Sequence, residues 1–239
     1  QRNSKGTITI AGIPIHGKPN DYSAENWLFA QNEIRLNDVK VFWDDQLKKK
    51  APTSVDIQNL TLSNGIRSHT GSLSATTPWT KGPLQLDIDL VHHIGGQAGN
   101  WRDWIGTLSW NLNALQLGQI ANGFSLPLNT LEGTLTSKGK LRIDNGKPNG
   151  GEIYLAADDL TIQLSKDEDA IALGRLETNL TQETDSGMIS VTTKTFAWRD
   201  TESPKSTPLE NLSPMTFRWR PPAGDEEIKE FGFSSPKIL

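Results

Sequence analysis

The 239-residue chain carries 24 Lys and Arg against 28 Asp and Glu, a formal net charge of −4, with no Cys, 21 Gly, 13 Pro and eight Trp. At 22% charged and 35% hydrophobic residues it is not a disordered, coiled-coil or collagenous sequence. Without cysteine it has no disulfide framework, thiolate nucleophile, zinc ribbon or iron–sulfur cluster.

From the N-terminus, Gln1-Arg2-Asn3-Ser4-Lys5 leads into alternation, not into an apolar h-region. No stretch reaches the roughly 18–20 consecutive apolar residues of a spanning helix, so the chain is expected to be soluble. Apolar residues then recur at every second position, the spacing of strands: Ile8 and Ile10, then Ile13 and Ile15; Ile34 and Leu36, then Val39, Val41 and Trp43; Val55 and Ile57, then Leu60 and Leu62. The alternation slips by one residue at Gly12, at Asn37-Asp38 and at Asn59, which predicts bulges or strand breaks that keep one face apolar. Leu84, Leu86, Ile88 and Leu90 interleave with Gln85, Asp87 and Asp89, a strand buried on one face only.

Further strands follow at Trp104–Leu112, Leu131–Leu135, Ile153–Leu155, Leu160–Leu164, Ile171–Leu173, Ile189–Val191 and Met215–Trp219, about a dozen in all. Turn signals at Ser63-Asn64-Gly65, Asp144-Asn145-Gly146, Asn149-Gly150-Gly151 and Asp185-Ser186-Gly187 make consecutive strands antiparallel neighbours, with Asn64-Gly65 the best short hairpin turn. One short helix is expected, from Ala114 to Ala121, and polar proline-broken loops at 201–208 and 220–225.

The site chemistry is sparse. The four His, at 16, 69, 92 and 93, fall in no catalytic or metal-binding motif, and His92-His93 in a strand point to opposite faces, so they read as a strand-end pair. The pairs Asp44-Asp45 and Asp158-Asp159 lack the opposed placement of glycosidase carboxylates. Trp43, Trp104, Trp110 and Trp219 stand in phase with aliphatics and read as packing, whereas Trp79 and Trp101 are free for another role. Lys48-Lys49-Lys50 is the only basic run, too little positive field for nucleic acid. No catalytic residue, cofactor or metal is expected.

A sheet of about a dozen strands must curl, split into two layers or close. Splitting gives a β-sandwich that binds carbohydrate or protein; curling leaves an apolar trough suited to acyl chains. A third reading, a hydrolase using His69 or His92 with an aspartate, has the least in its favour. The expected architecture is an all-β, extended, curled antiparallel sheet forming an apolar groove, one segment over 1–239, with Val39, Val41, Leu60, Leu62, Leu84, Leu86, Ile88, Leu90 and Leu108 as its lipid-binding lining.

Particular residues also carry a resemblance. Asn26-Trp27-Leu28-Phe29-Ala30-Gln31 followed by Ile34–Asp45, then Ala51-Pro52, Ile57–Gly65, His69 and Leu73–Pro78, and in order Leu84–Leu90 and Trp104-Ile105-Gly106, resemble segments of the YhdP-like members of the AsmA-like family. The likeness covers 26–110 and is diffuse beyond. It implies a periplasmic antiparallel β-groove of Gram-negative bacteria, tethered to the inner membrane by a helix that this sequence lacks. The job implied is non-enzymatic movement of phospholipid toward the outer membrane, with acyl chains as the partner. On that resemblance the chain reads as an interior segment of a longer protein.

Overall fold

A computed structural model describes residues 1–3, 8–10, 13–15, 22–44, 46, 52–119, 130–163, 166–167, 169–185, 188–204, 207–212, 214–220 and 230–234. His16, Asp45, Lys48-Lys49-Lys50, Leu164 and the loop residues 221–225 lie outside them. Among the described residues the chain is all-β, its main sheet antiparallel and open, with no closed barrel. Strands β1 (Ile8–Ile10) and β2 (Ile13–Ile15) form a separate antiparallel pair in which Ile10 is paired with Ile13; Gly12, where a slip was expected, lies outside the described residues. Helix α1 (Ser23–Phe29) precedes β3 (Glu33–Trp43), β4 (Thr53–Asn64), β5 (Ser68–Thr76) and β6 (Leu84–His92). A 3-10 turn (Trp101–Asp103) leads into β7 (Trp104–Gln116), followed by β8 (Thr130–Asp144), β9 (Lys147–Gln163), β10 (Ile171–Asp185) and β11 (Met188–Asp200). The short strands β12 (Glu210–Leu212), β13 (Thr216–Arg220) and β14 (Glu230–Ser234) complete it.

The hydrogen-bonded order β14-β13-β11-β10-β9-β8-β7-β6-β5-β4-β3 is a meander of sequential neighbours from β3 to β11, where both β12 and β13 pair with β11, in one 12-stranded sheet. The described strands thus form one 12-stranded sheet and the two-stranded pair of β1 and β2. By contacts the chain divides into two compact units, one of Gln1–Pro78, Pro83–Leu108 and Ile143–Lys147, the other of Trp79–Gly82, Ser109–Arg142 and Pro148–Leu239.

In the first unit the predicted slips are real. Asp38 sits in β3 at φ 52, and the β4–β5 register shifts between Ile57 and Asn59. Both devices insert one residue, so Ile34, Leu36 and Val39 stay on one face across Asn37-Asp38. In the second unit β9 slips likewise at Asp159 (φ 51), and the buried core is Leu117, Ala157 and Leu160, with Leu131, Leu135, Ile162, Leu173 and Leu176 packed against it.

Three expectations need correction. The helix expected over Ala114–Ala121 is strand to Gln116 and helical only at 117–119, with 120 and 121 outside the described residues. The run Asn149-Gly150-Gly151 lies inside β9, where a Cβ on Gly151 would stand 2.3 Å from the Lys140 carbonyl oxygen; the glycines permit close strand approach and do not turn the chain. The tight two-residue turn is Asn145-Gly146, with φ 49 and 70, whereas Asn64-Gly65 opens a longer turn closed by the Gly65 N–H on the Ser68 carbonyl at 2.7 Å.

Candidate functional site

The first unit builds its inner face in rows. β3 pairs with β4 as Ile34 to Leu62, Leu36 to Leu60, Val39 to Ile57 and Val41 to Val55. β5 continues these rows with Gly71 beside Leu62, Leu73 beside Leu60 and Ala75 beside Ile57, and β6 adds Ile88, Leu86 and Leu84 in turn. The first three rows therefore cross four strands, about 14 Å at ordinary strand spacing, and the Val41–Val55 row crosses two. The sequence-predicted lining residues Val39, Val41, Leu60, Leu62, Leu84, Leu86 and Ile88 all fall in these rows, and Leu90 stands one pair further on, opposite His69. Leu108 lies in β7, the next strand after β6.

Most of these aliphatics are half-buried. Leu90 is buried, Val41 is 43% exposed, and Ala75 disappears beneath its neighbours. The opposite face is polar: Arg35 pairs with Glu33 at 2.7 Å, Lys40 with Asp56 at 3.2 Å, and the Asn59 amide donates to Asn37 at 3.0 Å. Asp87 and Asp89 project there, exposed. One face is thus matched to water and the other to hydrocarbon.

One end of the apolar face is closed by α1. Ala24, Glu25 and Leu28 favour a helix, but seven residues without a side-chain N-cap are marginal alone. Tertiary bonds hold it: the Asn64 amide donates to the Gln31 carbonyl at 2.7 Å, and the Gly99 N–H donates to Asn26 Oδ1 at 2.8 Å. Phe29 thereby lands 4.8 Å from the His69 ring and 4.9 Å from that of Trp104, which also lies 5.9 Å from His69. His92, two residues beyond Leu90 in β6, packs 5.4 Å from His69, and both imidazoles are buried.

Hydrogen bonding fixes the tautomers. With the Asn64 nitrogen committed to carbonyls, its Oδ1 accepts from His69 Nδ1 at 2.8 Å, and the His93 carbonyl accepts from His92 Nδ1 at 3.0 Å. Neither Nε2 has a hydrogen-bond partner among the described residues. Burial first, and then the charge His92 would carry, push the His69 pKa below its usual value, so both effects favour a neutral ring. The Nδ1 atoms face an amide and a carbonyl, not the aspartate a hydrolytic triad needs. Among the described residues no group of three or more His, Asp or Glu could hold a metal ion.

The other singled-out residues are in structural roles. Asp44 accepts from the Gln1 and Gln46 amides, at 3.2 and 3.3 Å, and Asp158 takes an Arg175 guanidinium at 2.5 Å that also reaches Glu177. These two carboxylates hold the guanidinium proton more firmly than usual. Trp104 donates to the Ala98 carbonyl at 2.9 Å and Trp110 to Ser137 Oγ at 2.9 Å, as packing residues do. Trp43, expected to pack, is exposed instead because its partner at the end of β4, Thr53, offers little apolar surface. Sequence reasoning missed Phe29 and the union of His69 with His92; only the Trp27-Leu28-Phe29 run hinted at an apolar plug.

No helix among the described residues is long and apolar enough to cross a membrane. Comparison with protein-family models, curated proteins and solved structures found no match to this chain.

Proposed function

We propose that this chain is a periplasmic segment of a YhdP-like lipid-transfer protein of the AsmA-like family, and that its aliphatic face shields phospholipid acyl chains on their way from the inner to the outer membrane. The observation that carries the reading is the set of registered rows, Leu36-Leu60-Leu73-Leu86 at their centre, left half-buried with a charged face behind them. The order of motifs over 26–110 supports the same assignment. A two-chain lipid with on the order of 30 methylenes costs about 24 kcal/mol to immerse bare in water. A strip of Leu, Ile and Val removes much of that cost without covalent chemistry, and half-exposed contacts let the chain slide. Four rows spaced two residues apart run for about 20 Å along the strands, enough for most of one acyl tail.

The competing reading, a carbohydrate- or protein-binding sandwich, needs the apolar face of the first unit sealed under a second sheet, whereas Val41 on that face is exposed and Leu36, Leu60, Leu73 and Leu86 are only half-buried. The test is a photo-activatable residue placed at Leu86 or Ile88, and in parallel at Asp87 or Asp89, in cells with radiolabelled phospholipid. Crosslinks to lipid are expected from the first pair alone. Equal labelling from both pairs, or none from the first, refutes the proposal.

A further inference from the structure

We propose a second interaction surface in the first unit: the end of its strands beside α1 docks onto the interfacial layer of a lipid bilayer. This goes beyond acyl shielding and stands whatever the inner face holds.

Ten large apolar side chains are exposed among the described residues, and six of them, Trp27, Leu28, Ile66, Val91, Ile94 and Trp101, stand at this end. Ile66, 97% exposed, caps the turn between β4 and β5, and Ile94, 84% exposed, lies just past β6. Two hydrogen bonds join the two loops: the His92 backbone N–H donates to the Arg67 carbonyl at 3.1 Å, and the Arg67 side-chain Nε donates to the His92 carbonyl at 2.9 Å. The Asn26 bond to Gly99 ties α1, with Trp27 and Leu28, to the segment that carries Trp101.

Water is a poor resting place for such a set, and its composition selects the partner. The Ile side chains protrude singly from loops, Ile66 between Gly65 and Arg67 and Ile94 between His93 and Gly95. Single apolar side chains on loop tips fit a fluid acyl boundary, and Trp is the residue that prefers its polar edge. Arg102 lies 4.8 Å over the Trp101 ring and donates to the Tyr22 hydroxyl at 3.0 Å, so a guanidinium is held beside the indole, at the level where lipid phosphates would sit. Arg67 and Arg102 balance Glu25 and Asp103 there, although the whole chain is at −4. The phosphate layer therefore meets no excess of negative charge at this end.

The experiment is flotation of the full chain with vesicles of phosphatidylethanolamine and phosphatidylglycerol, comparing wild type, the double variant Ile66→Ser/Ile94→Ser, and Ile171→Ser, another exposed isoleucine that lies in the second unit. Because Ile66 and Ile94 contact little in the folded chain, their replacement leaves folding intact, which circular dichroism verifies. Wild type and Ile171→Ser are expected to float, and the double variant to lose at least about tenfold in partitioning. A Leu86→Asp chain, impaired in acyl capture, should float like wild type, which separates this surface from the inner face. Wild-type protein that stays with the soluble fraction, a double variant that floats unchanged, or an equal loss in Ile171→Ser overturns the proposal. So does vesicle-free self-association that the double variant abolishes, which would make this end a contact between copies.

Discussion

Leu86→Asp is the sharpest perturbation of the proposed acyl face. Leu86 ends the central row, reached from Leu36 through Leu60 and Leu73, and is half-buried with the hydrocarbon side open. Covering the remaining surface of such a leucine with an acyl chain contributes about 1 kcal/mol, half of what full burial yields. A carboxylate in its place must stay hydrated, and stripping its water beneath a lipid tail costs roughly 2–3 kcal/mol more. Together these lower lipid occupancy by at least about 100-fold. The folded chain itself loses less, about 1–2 kcal/mol, because the new carboxylate faces solvent when no lipid is present. The assay is mass spectrometry of lipid co-purified with wild type, Leu86→Asp and Asp87→Asn, each checked by its urea midpoint. Asp87→Asn, one residue away on the charged face, should retain lipid at the wild-type level. Equal loss in both variants, or full retention in Leu86→Asp, would refute the assignment of the face.

Other consequences follow from the same geometry. Gly106 in β7 has φ 146, and a Cβ there would stand 2.0 Å from the Asp89 carbonyl oxygen, so Gly106→Ala should cost roughly 2–4 kcal/mol by urea denaturation. An unchanged midpoint would mean that β6 and β7 can separate freely. Because the folded state lowers the His69 pKa, the unfolded chain binds a proton more readily; the His69 contribution to stability is intact above about pH 6.5 and declines as pH falls below it. The urea midpoint should therefore drop between pH 7.5 and 5.5, and drop less in His69→Gln; identical pH profiles would sink this reading. In the second unit, Arg175→Met leaves Asp158 and Glu177 without their shared cation and should cost about 1 kcal/mol, more than Asp158→Asn, as thermal melts can decide.

The strand pattern was legible because β3 to β6 each carry aliphatic residues on one face and polar residues on the other, and period-two alternation is the direct imprint of that arrangement. Ile34 through Leu90 could be assigned to a face before any register was known, and the slips at Asn37-Asp38 and Asn59 proved to be an αL residue and a register shift. Helix α1 was not legible. Seven residues make less than two turns, and what holds them is Asn64 and Gly99, 33 and 73 residues from their partners Gln31 and Asn26. The burial of His69 was hidden for a related reason: its neighbours Phe29, His92 and Trp104 come from three separate elements. Asn149-Gly150-Gly151 misled because turn-forming residues also serve where two backbones must approach closely inside a sheet.

The slips offer a last test of what the sequence encodes. In β3 the apolar set is Ile34, Leu36, Val39 and Val41, so deleting Asp38 joins Asn37 to Val39 and restores strict alternation, with every aliphatic still on the inner face and the φ 52 strain gone. Only Gln58, opposite Asp38 across the β3–β4 ladder, is left without a counterpart, and β4 already carries that residue as a bulge against β5. In β6 alternation is already strict, so deleting Asp87 turns Ile88, Leu90 and His92 onto the charged face and brings Asp89 inward beside Leu62 and Gly71. Losing the burial of two aliphatics costs about 3–6 kcal/mol, comparable with the whole stability of many domains. The Asp38 deletion should yield folded protein with a midpoint within about 1 kcal/mol of wild type, and the Asp87 deletion insoluble or unfolded protein. Should the two deletions behave alike, face assignment would not be what the alternating pattern is maintaining, and the rows on which acyl binding depends would lose their physical basis.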